Sequence, residues 1–208
     1  MKTQIILLFL VPLIITYSCT VKEDNEPSVN SKNQCITPDG VLSGTISNYA
    51  IGKFDILKVS DIFNFTILNS CTVSSDGKFS MSLPIPSLNT LSEVGAFPNA
   101  ILSDENVHFG GAELGYPIAY QGNSMVGYVI RSNSSIIGNA NIATFFYYFD
   151  RSCTIKGSGS LQALPGVTLE YDMSVKKGWN EIVVIISSTK RTYTTTIPSG
   201  LSWYYNPK

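Results

Sequence analysis

The only histidine of the chain, His108, is the side chain best suited to move a proton near neutral pH. Nucleophilic catalysis would need it beside a serine or cysteine, with a carboxylate to orient its ring. No Gly-x-Ser-x-Gly elbow occurs, and the stretch 106–111 around His108 holds no nucleophile and ends in two glycines. We therefore predict that His108 is a loop residue and that the protein is not an enzyme.

Four carboxylates could supply the pair of acids that cleaves a glycosidic bond, because the members of such a pair are distant in sequence. Two of the four alternate with apolar residues along one strand, which is the pattern of a solvated strand face. Calcium needs clustered oxygen ligands, and only Asp104-Glu105 offers a start. We predict that Glu170 and Asp172 are exposed charges and that Asp104-Glu105 is an acidic loop, with no metal and no cofactor. The four acids are Glu113, Glu170, Asp172 and Glu181.

Aromatic side chains are the remaining candidates for a ligand-binding site, because their rings can stack on sugar rings. Neighbouring strand residues point to opposite faces, so about half of the aromatic side chains must pack in the core. Core packing and ligand binding both remain open for these residues at this stage. The candidate ligand-facing residues are Trp179, Trp203, Tyr204 and Tyr205.

Short runs that alternate apolar and polar residues begin at Gly40 and predict the strands that would position these side chains. No long helical periodicity and no internal repeat occurs. The sequence therefore predicts an all-β fold, an antiparallel β-sandwich over residues 40–208. The main predicted strands are Val41–Ile46, Phe54–Val59, Lys78–Leu83, Leu114–Tyr120, Met125–Arg131, Thr144–Phe149, Cys153–Lys156, Thr168–Val175, Trp179–Ile186, Thr192–Ile197 and Ser202–Tyr205.

Turn signals separate these strands. Asp76-Gly77 predicts a tight turn, because glycine tolerates a positive φ. Lys176-Lys177-Gly178 predicts the clearest hairpin, joining Thr168–Val175 to Trp179–Ile186. Prolines punctuate residues 84–100, where Ser87–Val94 could form one or two helical turns and an internal seam is expected.

The cysteines beyond position 19 number three, so at least one must stay outside an internal bridge. Cys71 and Cys153 stand in similar strand-like contexts and are expected to point inward. A disulfide between them and two buried free thiols explain the pattern equally well. The state of Cys35 is left open.

The N-terminal stretch predicts a cleaved secretory leader. Lys2 supplies a positive charge, and the apolar run Ile5–Ile15 is shorter than the roughly 20 residues that span a bilayer. Thr16-Tyr17-Ser18-Cys19 resembles the lipobox of bacterial lipoproteins, which implies that Cys19 is lipidated and attaches the protein to a membrane. The expected units are a signal peptide at 1–18, a lipidated cysteine with a flexible tether at 19–39, and the sandwich domain.

A short acidic motif and the net charge bear on where the protein is located and on which partners it binds. Lys22-Glu23-Asp24 resembles the acidic export signal that sends lipoproteins of Bacteroidota to the outer face of the outer membrane. This implies an outer-membrane location, with exposure at the cell surface. The net charge is −1 and the basic residues are scattered, so we predict no nucleic-acid partner.

Two further resemblances support a lipoprotein with a sandwich fold. Gly44-Thr45-Ile46 with residues 75–80 resembles the entry strands of transthyretin-like or carboxypeptidase-regulatory-like sandwiches. The segments 147–157, 175–180 and 198–203 look like those of small secreted bacterial lipoproteins of unassigned function. Those proteins carry no known catalytic residues, so the resemblance implies no site.

The leading hypothesis from sequence is a lipid-anchored β-sandwich with a non-catalytic, structural or accessory binding role. The alternative is a carbohydrate-binding accessory protein of a polysaccharide uptake system, for which an exposed row of aromatic residues would be needed. A third hypothesis is a hydrolase built on two facing carboxylates. A glycan or a protein could be the partner.

Overall fold

The computed structural model describes residues 34–60, 67–93, 97–111, 116–160 and 165–208, except for the side chains of residues 93, 111 and 137. The leader, Cys19 and most of the tether lie outside these residues. Within them the structure is built of strands, with two short 3-10 turns at Leu88–Thr90 and Ile137–Asn139. The strands are β1 Val41–Thr45, β2 Ile56–Ser60, β3 Ile67–Thr72, β4 Lys78–Ser82, β5 Ser92–Glu93, β6 Ala100–Leu102, β7 His108–Gly111, β8 Ile118–Gln121, β9 Ser124–Ser132, β10 Ile142–Phe149, β11 Cys153–Ser160, β12 Thr168–Val175, β13 Gly178–Ile186, β14 Lys190–Thr194 and β15 Ser202–Pro207.

The strands form two sheets, which confirms the predicted all-β sandwich. A small sheet consists of β1 and β4 alone. The large sheet has 13 strands and follows the order β3-β2-β8-β9-β10-β13-β14-β12-β11-β6. Three strands branch from this path, because β15 pairs with β9, β7 with β10, and β5 with β7. The pairings between these strands are antiparallel except for the parallel pair of β12 and β14, and an isolated parallel bridge joins Ile46 to Trp203.

Two hydrophobic cores lie on opposite faces of β10 and β13. Alternate residues of a strand point to opposite faces, so Phe146 and Tyr148 of β10 enter one core while Phe149 enters the other. In the same way β13 places Trp179 in the first core and Ile182 in the second. These two strands therefore hold the sandwich together.

The first core fills the space between the small sheet and the large one. Trp203 of β15 stacks on Phe146 with ring centroids 5.9 Å apart and meets Phe79 of β4 edge-on at 5.2 Å. Gly44 of β1 permits this approach, because a Cβ there would lie 2.2 Å from the Trp203 indole nitrogen. A side chain at position 44 would push the small sheet away.

The second core lies beneath β11 and β12. Leu169, Tyr171 and Met173 of β12 point into it and are 2, 4 and 1 % exposed. Glu170 is only half-buried and Asp172 is exposed, so the predicted alternation of β12 is confirmed. Residues that the sequence placed on a solvated face lie there.

The hairpin predicted across Lys176-Lys177-Gly178 is wrong. β12 and β13 follow one another through residues 176–177, but they do not pair, because β14 lies between them. β14 pairs with Thr168–Asp172 of β12 and with Val183–Ile186 of β13, the halves that are remote from the connection. The two strands therefore diverge from their connection, and the next strand fills the gap.

The side chain of Asn180, instead of backbone hydrogen bonds between β12 and β13, holds this connection together. The Asn180 amide oxygen accepts the backbone N–H of Lys176 at 2.9 Å, and its nitrogen donates to the carbonyls of Lys176 at 2.7 Å and Gly178 at 2.9 Å. Gly178 has the positive φ that was predicted, 105°. A Cβ there would lie 2.3 Å from the Pro38 carbonyl oxygen.

The tight turn at Asp76-Gly77 is confirmed, with a φ of 78° at Gly77 and a 2.9 Å bond from the Ser74 N–H to the Lys78 carbonyl. The strands on either side, β3 and β4, belong to different sheets. The turn is therefore a corner of the sandwich. Part of the expected helical segment Ser87–Val94 forms one 3-10 turn, Leu88–Thr90.

Candidate functional site

A buried ion pair joins β9 to β13 on the face of the first core. Arg131 donates through Nη1 to Glu181 Oε1, and their side chains are 10 % and 0 % exposed. The second carboxylate oxygen of Glu181 accepts the backbone N–H of Cys35 at 3.1 Å. A carboxylate with no solvent access survives as an ion only when such partners surround it. Glu181 is therefore held in a structural network.

The thiol of Cys35 lies against the same pair. Burial, and after it the negative charge of Glu181, raises the pKa of the Cys35 thiol well above its ordinary value, although Arg131 acts in the opposite direction. Nucleophilic and metal-binding cysteines are thiolates, which form where the pKa is lowered. Cys35 in this position is an inert thiol.

A hydroxyl without a partner completes this cluster. Thr144 of β10 is 1 % exposed, and its Oγ1 has no hydrogen-bond partner. Ala143 pairs with Ser132, so Thr144 lies alongside Arg131, on the strand between the two members of the ion pair. Buried hydroxyls are nearly always paired, so this face carries an unsatisfied polar group next to two buried charges.

His108 lies in a second polar cluster, at the start of β7. Its Nδ1 is 3.4 Å from Asp150 Oδ2, and its backbone N–H donates to Asp150 Oδ1 at 2.8 Å. The Asp150 N–H returns a 3.0 Å bond to the His108 carbonyl. The prediction that His108 is a loop residue is wrong, because Phe109 pairs with both Ser92 and Phe149 and so draws its neighbour into a strand.

Asp150 is the better-buried member of this pair, with a side chain 9 % exposed. Burial raises its pKa, but the His108 backbone N–H and the Arg151 guanidinium outweigh that effect, and the net pKa lies below the ordinary value. Arg151 also contacts Asp104 Oδ2 at 3.3 Å. The cluster therefore offers a histidine oriented by a carboxylate, half of the arrangement that general-base catalysis uses.

The other candidate acids have partners of their own. Lys190 Nζ lies 3.1 Å from Glu170, and Lys156 Nζ lies 3.7 Å from Asp172, both at the surface. Glu113 lies outside the described residues. No group of three or more His, Cys, Asp or Glu residues that could hold a metal occurs in the part of the chain that the structure describes.

Two of the four candidate aromatic residues are in the core. Trp179 and Trp203 are 2 % and 3 % exposed, so the prediction that they face a ligand is wrong. Each indole has neighbours inside the sandwich, as when Trp179 Nε1 donates to the Pro84 carbonyl at 3.3 Å. Tyr204 and Tyr205 are half-buried. The Tyr205 hydroxyl donates to the Val126 carbonyl at 2.9 Å, and its ring packs on Phe54 at 4.7 Å.

All three cysteines among the described residues are free thiols. Cys71 packs against the first core and Cys153 belongs to the second, so the disulfide considered between them does not form. The interpretation as separate, inward-facing thiols holds for Cys153, which is buried, and partly for Cys71. Cys153 contacts the Ser103 hydroxyl at 3.6 Å.

An open groove of about 560 Å³ runs over the small sheet. Serine and threonine are most of its lining residues, and Lys78 also lines it. Aromatic stacking surfaces are missing there, since Phe79 is the one ring and is itself 5 % exposed. The groove does not provide a stacking platform for sugars.

The sequence pattern did not single out the Arg131–Glu181 pair or Asp150. A signal was present for the pair, because Glu181 stands within the apolar run of a strand that is buried on both faces. A charge in such a run requires a buried partner, but the partner, two strands away in the sheet, cannot be identified from local sequence.

The fold and these clusters define an all-β sandwich with two structural polar networks. Among the described residues no helix has the length and the apolar character to cross a bilayer. In comparisons with known proteins, no family model, no curated protein and no solved structure matches the chain. The resemblance to small bacterial lipoproteins therefore stays a prediction.

Proposed function

We propose that the protein is a lipid-anchored lipoprotein of the outer membrane, exposed at the cell surface, with a non-catalytic structural or accessory binding role. The observation that carries the proposal is the apolar leader that ends in Ser18-Cys19, followed by a polar tether and then a β-sandwich. A cleaved leader of this kind delivers a domain that needs no further membrane segment.

The structure supports the non-catalytic part through the partners of its reactive groups. Glu181 is bound by Arg131 and by the Cys35 amide, while Glu170 and Asp172 contact lysines at the surface. These contacts are those of a stable scaffold. The carbohydrate-binding alternative has less support, because Trp179 and Trp203, which it would use for stacking, are core residues.

The test is the replacement Cys19→Ala. We expect the variant to appear in the soluble fraction after a carbonate wash and to lose incorporation of a labelled fatty acid, while the wild type stays in the membrane. The matched control is Cys35→Ala, which removes a thiol inside the fold and should leave membrane attachment unchanged. Retention of Cys19→Ala in the membrane would refute the anchor.

Surface exposure has a test of its own. Replacing Lys22-Glu23-Asp24 by three alanines removes the proposed export signal without touching the described fold. We expect the wild type on intact cells to be degraded by an added protease and the variant to be protected. Equal protease sensitivity would contradict the export signal while leaving the lipid anchor intact.

A further inference from the structure

Residues 34–40 form a strap, a segment that folds back on β1 where the chain leaves the tether. Ile36 forms a single bridge with Leu42, and the Ser43 N–H donates to the Cys35 carbonyl at 2.9 Å. The Ile36 side chain is 3 % exposed and belongs to the first core. The buried Ile36, the partly buried Cys35 and a few hydrogen bonds thus hold this segment.

The strap crosses the beginning of β13 and covers the buried ion pair. The Trp179 N–H donates to the Pro38 carbonyl at 2.9 Å, and the Cys35 N–H donates to Glu181 Oε2 at 3.1 Å. The ion pair itself connects β9 with β13, which belong to the large sheet. The contact between Arg131 and Glu181 therefore does not depend on the strap.

The groups beneath the strap favour its release. A desolvated ion pair recovers hydration when water reaches it, and the unpaired Thr144 hydroxyl gains a partner in the same way. These gains offset part of the cost of exposing Ile36. Segments with few buried contacts open locally at a free energy below that of global unfolding.

We propose that the strap is a releasable clamp, which detaches as a unit while both sheets stay folded and thereby exposes the Arg131–Glu181 pair and the Cys35 thiol. The open form presents a cation, a carboxylate and a thiol side by side on the sheet. The closed form hides all three. This inference does not depend on lipidation of Cys19.

Thiol labelling measures this opening directly. The full-length protein in mild detergent is exposed to pulses of N-ethylmaleimide, and peptide mapping by mass spectrometry follows Cys35 and Cys153 in one sample. Cys153 is buried in the second core and reports global opening. We expect Cys35 in the wild type to react far more slowly than in urea, but faster than Cys153.

Ile36→Ala removes the side chain that holds the strap in the core. We expect it to speed labelling of Cys35 by about a hundredfold, from the loss of a buried isoleucine, and labelling of Cys153 by up to the same factor, because the unfolded chain lacks this contact too. Ile101→Ala is the matched control, because Ile101 is 74 % exposed, and it should change neither rate. Leu169→Ala lies in the second core and destabilises only states in which that core opens, so it should speed Cys153 and leave Cys35 unchanged. Acceleration of both cysteines by Leu169→Ala would show that the strap opens only when the whole domain unfolds.

Thr37→Ala is a milder variant that decides the question if Ile36→Ala does not fold. The Thr37 hydroxyl accepts the Val41 N–H at 3.0 Å and lies in the exposed turn of the strap. Its loss should speed Cys35 labelling several-fold, with Cys35 still reacting faster than Cys153. No change at Cys35, or equal labelling of both cysteines in the wild type relative to their rates in urea, would overturn the proposal.

Discussion

At the scale of single residues, the two polar clusters owe their character to one buried carboxylate each. Glu181 binds Arg131 and the strap, while Asp150 holds the start of β7 through His108. Both carboxylates accept a backbone N–H group as well as contacting a basic side chain, so each ties a neighbouring segment to its strand.

Asp150→Asn tests the second cluster through its pH dependence. Because the pKa of Asp150 is lowered in the folded state, its carboxylate stabilises the fold above its ordinary pKa, near 3.8, and that stabilisation is lost as the pH falls below this value. We expect Asp150→Asn to cost about 1.5–3 kcal/mol at pH 6, the contribution of a hydrogen bond to a charged group. The difference from wild type should shrink toward pH 3 in urea unfolding.

Asp172→Asn is the control for that experiment. Asp172 is exposed, and its contact with Lys156 lies at the surface. Exposed pairs of this kind contribute little, so the change should cost less than about 0.5 kcal/mol at either pH. An Asp150→Asn variant with the same small, pH-independent effect would show that the His108 cluster does not stabilise the fold.

The exposure of a residue could be predicted from sequence where polar and apolar residues alternate along a strand, because one face is then polar and the other apolar. Glu170 and Asp172 alternate with apolar residues and lie outside as expected. Trp179 could not be placed in this way, because both faces of β13 are buried and the period then carries no information about which face meets solvent. Trp203 could not be placed because three aromatic residues follow one another in β15, so no alternation marks the core face. Pairing of Glu181 with Arg131 depends on sheet order, which local sequence does not encode.

At the scale of elements, strand positions were predictable and strand partners were not. Apolar alternation located β1, β4, β9, β10, β12, β13 and β15 within a few residues. The sequence signal between β12 and β13 was that of a hairpin, and it correctly marked a glycine with positive φ. β12 and β13 instead each pair with β14, which lies between them. This arrangement depends on residues that are distant along the chain.

Gly178→Val tests this connection. The φ of 105° and the Pro38 carbonyl, 2.3 Å from a Cβ at this site, both oppose a side chain. We expect a loss of at least about 1–3 kcal/mol in urea unfolding from the backbone strain alone. Lys177→Ala, at an exposed neighbour, should cost less than about 0.5 kcal/mol.

Gly52→Val distinguishes the backbone strain of a positive φ from the steric clash of a new side chain with its neighbours. Gly52 also has a positive φ, 84°, but a Cβ there meets nothing within 4 Å. We therefore expect Gly178→Val to be clearly the more destabilising of the two. Equal losses would mean that the strap moves aside at no cost, and equality of Gly178→Val with Lys177→Ala would contradict the turn geometry.

At the scale of the whole molecule, the two cores share β10 and β13 and cannot separate without breaking both strands. We expect a single cooperative transition, as for most domains of this size. Both tryptophans report the first core, and Cys153 reports the second. Urea curves from tryptophan fluorescence and from Cys153 labelling should have the same midpoint, matching far-ultraviolet circular dichroism. Midpoints that differ would show two independently folding halves.

The position of β14 between β12 and β13 also limits the order in which the chain can finish folding. Lys190–Thr194 lies between two strands that are synthesised before it. In a chain exported as we propose, β12 and β13 each present an unpaired edge until these residues emerge on the far side of the membrane, and such edges are templates for aggregation. Protection by chaperones is therefore most needed late in export, when most strands have emerged but the sheet is still open between β12 and β13.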